Sequence, residues 1–223
     1  MTLPAVVIAA GLGTRLRPLT ERYAKPVLPV DGKPVLAHVL RELVDAGCHE
    51  VTIVTGHFGE QIERLVGDGS GFGVAVRYAR QGSPDGSAHA VAAAAATAPY
   101  LVVGADKVFT RGDIGRFADS FARSGAAGAL AFESRPGTVE VHDGLVQRVL
   151  GEGVLGVPLW AVGPAVAPIV AALPGAQPFE LATAFQAAID AGERIAGIGI
   201  GATRDLTHPL DVLEENFPYL SQL

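Results

Sequence analysis

The hydrophobic pattern of the first half of the chain alternates between short apolar runs and segments with helical spacing. Apolar, β-branched runs predict strands at Ala5–Ala9, Val51–Thr55, Val74–Tyr78 and Leu101–Val103. Segments with helical spacing predict helices at Pro34–Ala46, Glu60–Val66, Gly86–Thr97 and Asp113–Ser124. Continuous apolar strands that alternate with helices are typical of a mainly parallel sheet covered on both faces.

The pattern changes after Ala127. The stretch "TVEVHDGLVQRV" holds two short runs around Asp143-Gly144, which predicts a hairpin, and "VLGVPLWAV" predicts a further buried strand. Later segments predict helices near Pro164–Leu173 and Pro178–Ala191, a strand at Arg194–Ile200 and a last helix near Pro209–Leu220. Because no linker, low-complexity tract or repeat interrupts the pattern, we predict one α/β domain over residues 1–223. Its architecture is a three-layer α/β/α Rossmann-like fold with a mostly parallel, mixed sheet.

Composition narrows the classes of partner and compartment. The 223 residues are 49% apolar and carry a formal net charge of −6, which disfavours disorder, nucleic-acid binding and an anionic membrane surface. No apolar stretch reaches the length of about 20 residues that a membrane helix needs. The single cysteine, Cys48, excludes an internal disulfide framework, and we expect it to be a buried structural thiol. These features predict a soluble cytoplasmic protein.

Candidate chemistry begins where the first strand ends, in "AAGLGTRLRPLT…KPVLPVDGKPVLAH". In open α/β sheets, ligands bind at the carboxyl ends of strands, and Gly11 and Gly13 let the backbone approach an anion. The chain has three lysines, and two of them, Lys25 and Lys33, lie in this loop near two arginines. The glycines alone also fit a plain tight turn, and the spacing is neither a Walker A loop nor G-x-G-x-x-G. Its cations favour a site for condensed phosphates.

This stretch resembles the signature of the sugar-phosphate nucleotidylyltransferases, here of the short glucose-1-phosphate thymidylyltransferase or uridylyltransferase kind without a β-helix domain. The resemblance implies that a sugar 1-phosphate attacks the α-phosphorus of a nucleoside triphosphate and releases pyrophosphate. It also implies a nucleotide-binding half over about 1–110 and a sugar-binding half over about 111–223. Catalytic roles fall to Arg15 and Lys25. The loop residues implied to bind nucleotide are Ala10, Gly11, Leu12, Gly13 and Thr14.

The resemblance also implies a Mg²⁺ site. Asp106 ends the strand in "YLVVGADKVF", where these enzymes carry a metal-binding aspartate, although a helix cap is the alternative. Asp205 in "TRDLTHPLDV" resembles the late aspartate that completes the coordination, although Thr207-His208 does not align cleanly. Asp211 is expected to be a charge at a helix N-terminus instead.

The base site is implied by "YARQGSPDGSAHAV". In thymidylyl- and uridylyltransferases a glutamine five residues before a glycine contacts the pyrimidine, and Gln81 and Gly86 have that separation. Ser87 stands where a threonine is frequent, and His89 is expected to be packed rather than catalytic. An ordinary turn at Pro84–Ser87 is the alternative. The expected nucleotide is dTTP or UTP.

The sugar side carries fewer matches. Glu152 and Gly156 are the nearest equivalents of the family's "E-K-P" and "G-x-Y" elements, and Glu180 in "FELATAF" is a candidate hydroxyl ligand. The family's sugar-site lysine is missing, so Arg148 or Arg135 is a candidate replacement. Glucose 1-phosphate is the default substrate.

Two other functions are open at this point. One is a cytidylyltransferase acting on a phospho-alcohol such as phosphocholine, and Gln81 with Gly86 speaks against it. The other is a non-catalytic, nucleotide-binding regulatory subunit of the same fold, which the presence of Arg15, Lys25 and Asp106 disfavours. The expected partners are a nucleoside triphosphate and a sugar 1-phosphate, without nucleic acid or membrane, and the sequence is compatible with a homo-oligomer.

Overall fold

The computed structural model describes residues 3–217, whose strands and helices alternate over most of the chain. The strands, numbered along the chain, are β1 (Ala5–Ala9), β2 (Pro29–Val30), β3 (Lys33–Pro34), β4 (Glu50–Thr55), β5 (Ala75–Arg80), β6 (Tyr100–Gly104), β7 (Lys107–Val108), β8 (Gly128–Gly137), β9 (Glu140–His142), β10 (Leu145–Arg148), β11 (Gly153–Val162), β12 (Ile195–Gly199) and β13 (Arg204–Asp205). The helices are α1 (Val35–Asp45), α2 (Gly59–Val66), α3 (Ser87–Ala93), α4 (Asp113–Ser124), α5 (Ala167–Ala171), α6 (Leu181–Asp190) and α7 (Pro209–Asn216).

Nine of these strands form one sheet in the order β5-β4-β1-β6-β11-β8-β12-β10-β9. Strands β5, β4, β1 and β6 are parallel, β11 is antiparallel to both of its neighbours, and β12 is parallel to β8. The chain moves outward from β1 to β4 and β5, then returns to place β6 on the other side of β1. This reversal creates a crevice at the carboxyl ends of β1 and β6, where ligands bind in open α/β sheets.

Apolar clusters lie on both faces of the sheet. Alternate residues of β1 belong to different clusters, with Val7 on the face covered by α1, α2 and α4, and Val6 on the face covered by α3, α5 and α6. Phe117 of α4 and Phe185 of α6 are fully buried on these opposite faces. The result is the predicted three-layer α/β/α architecture with a mostly parallel, mixed sheet.

A third, smaller cluster lies under the glycine-rich loop. Its buried members are Leu16, Leu28, Val30, Val35, Val108 and Leu206. These residues come from the loop, from β2, from the start of α1, from β7 and from the segment after β13. The cluster therefore ties the loop to the two distant segments that carry the candidate metal ligands.

Most of the predicted elements are confirmed, including strand β1, helix α4 and the hairpin around Asp143. The sequence missed β8, because its first half, "GALAF", has no β-branched residue. Three predicted helices were too long. The helix predicted at Gly86–Thr97 is α3, which ends at Ala93, and α5 and α6 each begin three residues after their predicted starts. The last helix ends at Asn216, and residues 218–220 of its predicted span lie outside the described residues. The predicted nucleotide-binding and sugar-binding halves both contribute strands to the nine-stranded sheet. The single domain over 1–223 stays a prediction.

Candidate active site

The candidate site occupies the crevice between the carboxyl ends of β1 and β6. A cavity of about 320 Å³ opens there, and we call it the phosphate cavity after the ligand that the sequence predicts for this loop. It is lined by Gly11, Gly13, Thr14, Arg15, Lys25 and Asp106, and also by Ser87, Pro158, Leu206 and Thr207. Folding thus brings three of the five predicted loop residues, both predicted catalytic cations and one predicted metal ligand to a single opening, while Ala10 and Leu12 line a different cavity.

The loop after β1 is held in shape by its own hydrogen bonds. Gly13 has φ 60° and stands directly before a 3-10 turn over Thr14–Leu16. The Leu16 amide donates to the Gly13 carbonyl at 2.9 Å. The Thr20 hydroxyl donates to the same carbonyl at 2.9 Å. A Cβ at position 13 would lie 2.9 Å from Thr20 Cγ2 and 3.3 Å from Lys25 Cβ. Glycine is therefore required here both by the backbone angle and by the lack of space.

Lys25 is the cation that the fold places most firmly. Its ammonium lies 3.1 Å from Asp106 Oδ2, and its side chain is only 11% exposed. Arg15 lines the same cavity, is exposed, and makes no hydrogen bond or ion pair with the residues of the range 3–217. The site thus combines a fixed, half-enclosed ammonium with a guanidinium that is available to a ligand.

Asp205 reaches this region through a two-stranded pairing that the sequence did not predict. Strand β13 pairs antiparallel with β7 and sets Asp205 opposite Lys107, whose ammonium lies 2.9 Å from Asp205 Oδ2. Burial raises the pKa of Asp205, but the hydrogen bond and charge of Lys107 and the charge of Lys25 outweigh it, so the pKa lies below its ordinary value. Two lysines and two aspartates therefore form one electrostatic cluster.

The donor set of this cluster suits Mg²⁺. Asp106 and Asp205 supply carboxylate oxygens, which a hard cation prefers, and Mg²⁺ is commonly held by one or two carboxylates plus substrate phosphates and water. Residues 3–217 contain no group of three or more His, Cys, Asp or Glu side chains placed to hold a metal by themselves. The residues present therefore fit a metal that arrives with a polyphosphate ligand rather than a metal held by the protein alone.

Gln81 and Gly86 meet on the other side of the loop. The Gln81 Nε2 donates to the Gly86 carbonyl at 3.0 Å and lies 3.1 Å from His89 Nδ1. A carbonyl is only an acceptor, so this contact fixes the amide orientation. Gln81 lines a cavity of about 230 Å³ together with Ala10 and Leu12. Within residues 3–217, no buried side-chain oxygen lacks a partner. The Gln81 Oε1, which bonds to none of them, is therefore not fully buried.

Glu180 joins the second half of the chain to the first. Its carboxylate accepts hydrogen bonds from the amide of Ser87, at 3.2 Å, and from the Ser87 hydroxyl. The Ser87 hydroxyl oxygen in turn accepts from the Leu181 amide at 2.8 Å. The start of α6 is thereby fastened to the start of α3, beside the phosphate cavity.

Gly156 and Glu180 line a third cavity, of about 430 Å³, which adjoins the phosphate cavity. Glu152 is exposed on the turn before β11 and lines none of the three cavities. Neither Arg148 nor Arg135 lines them either, and Arg135 pairs with the buried Glu133. Two of the three predicted sugar-site residues, Gly156 and Glu180, therefore lie at this cavity. Neither of the two arginines predicted to replace the missing lysine lies there.

Several side chains have the structural roles expected of them. Cys48 is buried and free, and burial raises the pKa of its thiol to about 11. Asp211 accepts hydrogen bonds from the amides of Thr207 and His208 at 2.6 and 2.7 Å, which caps α7. Lys107 is the charged residue whose role the sequence did not reveal, because its partner is 98 positions away.

Comparison with known proteins places the chain among nucleotidyl transferases. The sequence profile of the family described as nucleotidyl transferase matches residues 4–147. A glucose-1-phosphate thymidylyltransferase of Streptomyces griseus is 47% identical over 89 residues, which cover 40% of this chain and 25% of that protein. The UTP–glucose-1-phosphate uridylyltransferase AglF of Haloferax volcanii is 46% identical over 89 residues, covering 40% of this chain and 36% of that protein. The matches thus span about a quarter to a third of these relatives.

The fold has close counterparts among solved structures. A UDP-glucose pyrophosphorylase from Acinetobacter baumanii superposes with a TM-score of 0.82 at 20% sequence identity, over 96% of this chain and 92% of that one. At this identity the likeness supports the fold. Among the described residues, none of the helices has the length and apolarity that crossing a membrane requires.

Proposed function

Since the chain belongs to the nucleotidyl transferase family, we propose that it condenses a sugar 1-phosphate with a pyrimidine nucleoside triphosphate, dTTP or UTP. The observation that carries this proposal is the contact between Lys25 and Asp106, which joins the cationic loop to the carboxylate after β6. The relatives named as thymidylyl- and uridylyltransferases support the same class of reaction.

In the proposed reaction, an oxygen of the sugar phosphate forms a bond to the α-phosphorus while the bond from that phosphorus to the bridging oxygen of the β-phosphate breaks. The attacking phosphate is already largely dianionic at pH 7, since its second pKa is near 6, so no protein base is needed. The chain's task is to hold polyanions together and to stabilise the negative charge that moves onto pyrophosphate.

The cations take distinct parts in this scheme. Lys25, fixed at the boundary of the cavity, contacts the phosphate oxygens near the reacting phosphorus, and it does so by exchanging Asp106 for phosphate. Arg15, which has no protein partner in the described part of the chain, holds the triphosphate and the leaving pyrophosphate. The backbone of Gly11–Thr14 lies against the phosphates, as glycine-rich loops do.

Asp106 and Asp205 would hold Mg²⁺ together with the triphosphate. When bound, the metal supplies neutralisation of phosphate charge in the ground state and in the leaving group. Each of these aspartates is paired with a lysine, so a carboxylate that took part in holding the metal would leave its lysine free to face the anionic substrates.

The Gln81 amide is compatible with a pyrimidine base. Its nitrogen donates to the Gly86 carbonyl, which leaves its oxygen as an acceptor, and thymine and uracil offer an N3–H donor to such an oxygen. Cytosine can meet the same acceptor with its N4 amine, so the preference for dTTP or UTP over the cytidylyltransferase alternative rests on the relatives named as thymidylyl- and uridylyltransferases. Retention of both lysine–aspartate pairs argues against a non-catalytic regulatory subunit.

The same proposal places the reaction in the cytoplasm, where nucleoside triphosphates are available and a free thiol such as Cys48 persists.

The test is a pyrophosphate-release assay with five triphosphates and a panel of sugar 1-phosphates, with Mg²⁺ and with EDTA. We expect release that requires Mg²⁺, a sugar 1-phosphate, and dTTP or UTP. Release only with CTP and a phospho-alcohol would establish the cytidylyl alternative. Nucleotide binding without release for any pair would establish the regulatory one.

A further inference from the structure

Lys107 brings a second ammonium to the candidate metal ligands. It follows Asp106 directly in the chain, and its Nζ lies 2.9 Å from Asp205 Oδ2. The side chains of Lys107 and Asp205 are 17% and 31% exposed, so neither charge is fully hydrated. Leu206 and Thr207, which come directly after Asp205, line the phosphate cavity. The ion pair therefore lies beside the space in which the triphosphate is proposed to bind.

The backbone fixes this ion pair. Strands β7 and β13 pair antiparallel, with Asp205 directly opposite Lys107. Residues that are directly opposed in an antiparallel pair have neighbouring side chains, so this register brings the two charges together. Val108 and Leu206, the next residue after each member of the pair, are buried in the cluster under the glycine-rich loop. The contact is therefore part of the fold, unlike an ion pair between two solvent-exposed side chains.

The four side chains of the two lysine–aspartate pairs carry no net charge together. Lys25 neutralises Asp106, and Lys107 neutralises Asp205. Arg15 adds a further positive charge to the same cavity. A free divalent cation therefore meets no net attraction, and either aspartate has to exchange an ammonium for it. A complex of Mg²⁺ with a triphosphate is itself anionic, so it brings negative charge for the ammoniums as it brings the metal for the carboxylates.

We infer that Lys107 is a positioning residue of the site, which holds Asp205 in place and lowers its affinity for a free divalent cation, so that the cation binds together with the triphosphate. The inference rests on the proposed function and adds to it a role for a lysine that acts through Asp205. A cation takes an oxygen of Asp205 only by displacing the ammonium, and the triphosphate supplies the negative charge that the displaced ammonium loses. In the absence of the Lys107 charge, the cluster keeps one uncompensated carboxylate and attracts a divalent cation by itself.

A purely structural role for Lys107 predicts a different result. If the lysine only tied β7 to β13, its replacement would lower the stability of the protein and weaken the binding of every ligand of the site. The electrostatic role instead predicts changes of opposite sign. Removal of the charge strengthens the binding of a free divalent cation and weakens the binding of a triphosphate without metal.

The experiment measures binding rather than turnover. Mn²⁺ is the probe, because it accepts the same oxygen ligands as Mg²⁺ and its free form is counted by electron paramagnetic resonance. We expect Lys107→Gln to bind Mn²⁺ alone about tenfold or more tightly than the parent, since one charge at this distance changes cation affinity by at least this factor. In EDTA, calorimetry should show dTTP or UTP binding about tenfold more weakly to Lys107→Gln than to the parent.

Two further variants are controls. Lys107→Arg keeps the charge and should bind Mn²⁺ as weakly as the parent does. Lys33→Gln removes the same charge from an exposed side chain that lines none of the three site cavities, and it should change either affinity by less than about twofold. Circular dichroism establishes that each variant is folded. A folded Lys107→Gln protein with the Mn²⁺ affinity of the parent would overturn the inference.

The parent protein provides a test that needs no variant. Mn²⁺ alone should stay free of the parent at concentrations that suffice for the complex with protein and triphosphate. Stoichiometric binding of Mn²⁺ alone to the parent would overturn the inference, and pyrophosphate release by the same protein would leave the proposed function intact. Absence of release from every pair of substrates would overturn the proposed function, and this inference with it.

Discussion

The ion pair between Lys25 and Asp106 joins residues that lie 81 positions apart. At the scale of single residues it is the most informative contact, because the local sequence around neither residue accounts for a charged side chain held at this place. A lysine that is 11% exposed loses hydration, and the carboxylate compensates for this loss while the substrates are absent. The same proximity prepares the ammonium for phosphate.

Replacement of this amine tests its proposed role. Lys25→Ala should lower kcat by about 10²–10³-fold, since one cation directed at developing charge is worth this much in comparable sites. Circular dichroism and thermal unfolding should show the fold intact. Lys33→Ala is the control, because Lys33 is exposed in the same loop and lines none of the three site cavities. Equal kcat values for the two variants would contradict the assignment.

At the scale of elements, the site depends on short segments that lock distant parts of the chain together. Gly86, just before α3, has φ 103°, and a Cβ there would lie 2.3 Å from the Phe179 carbonyl oxygen. The Phe179 amide donates to the Asp85 carbonyl at 2.7 Å, and the Ala88 amide donates to the Phe179 carbonyl at 2.8 Å. This contact ties residues 85–88, which follow Gln81, to the start of α6, which lines the cavity of about 430 Å³.

Addition of a single methyl group tests that contact. Gly86→Ala should destabilise the protein by about 1–3 kcal/mol, because both the backbone angle and the space exclude a side chain. Gly82→Ala, where nothing lies within 4 Å of an added Cβ, should change the unfolding free energy by less than about 0.5 kcal/mol. Urea unfolding measures both. If Gly86→Ala proves as stable as Gly82→Ala, the packing of residues 85–88 against Phe179 is not as described.

Glu133 fastens the segment that leads to Asp205. Its buried carboxylate accepts hydrogen bonds from the Thr203 amide at 3.0 Å and hydroxyl at 2.6 Å, and it pairs with Arg135. Burial raises the pKa of Glu133, but the hydrogen bonds from Thr203 and the charge of Arg135 outweigh it, so the pKa lies below its usual value of 4.5. Folding therefore favours the ionised form of Glu133.

The sign of this pKa shift sets a pH dependence. A lowered folded-state pKa stabilises the protein above pH 4.5, and this contribution is lost as the pH falls through the lower folded value. Glu133→Gln should therefore be less stable than the parent at pH 7, and the difference should shrink below pH 4. Denaturant unfolding at several pH values checks this, with the exposed Glu152→Gln as control. A difference that is constant with pH would refute the assignment.

At the scale of the whole molecule, two of the three site cavities, those of about 320 and 430 Å³, lie where both halves of the sheet meet. The phosphate cavity takes residues from the loop after β1, from the end of β6, from β11 and from the segment after β13. A ligand that fills it contacts elements from both halves and should stabilise the folded state as one unit.

Metal removal tests this coupling. With dTTP or UTP at 100 times its Kd and excess Mg²⁺, stability should rise by about 2.7 kcal/mol, or about 5–10 °C in Tm for a chain of this length. EDTA should abolish most of the shift, because the two aspartates and the triphosphate need the cation between them. Scanning calorimetry measures this, with Mg²⁺ alone as control. An equal shift in EDTA would argue against a metal held by Asp106 and Asp205.

The sequence by itself determined what local chemistry can specify. Apolar periodicity predicted the parallel half of the sheet, and the glycines and cations after β1 predicted a loop suited to condensed phosphates, because backbone freedom and charge are properties of neighbouring residues. It did not give β8, whose small residues carry little strand preference, or the β7–β13 pairing, or the partnership of Lys107 with Asp205. Those depend on which distant segments share a core, and only the tertiary structure decides that. For the same reason, the cavity that Val139, Leu155 and Trp160 line together became visible only in the folded chain.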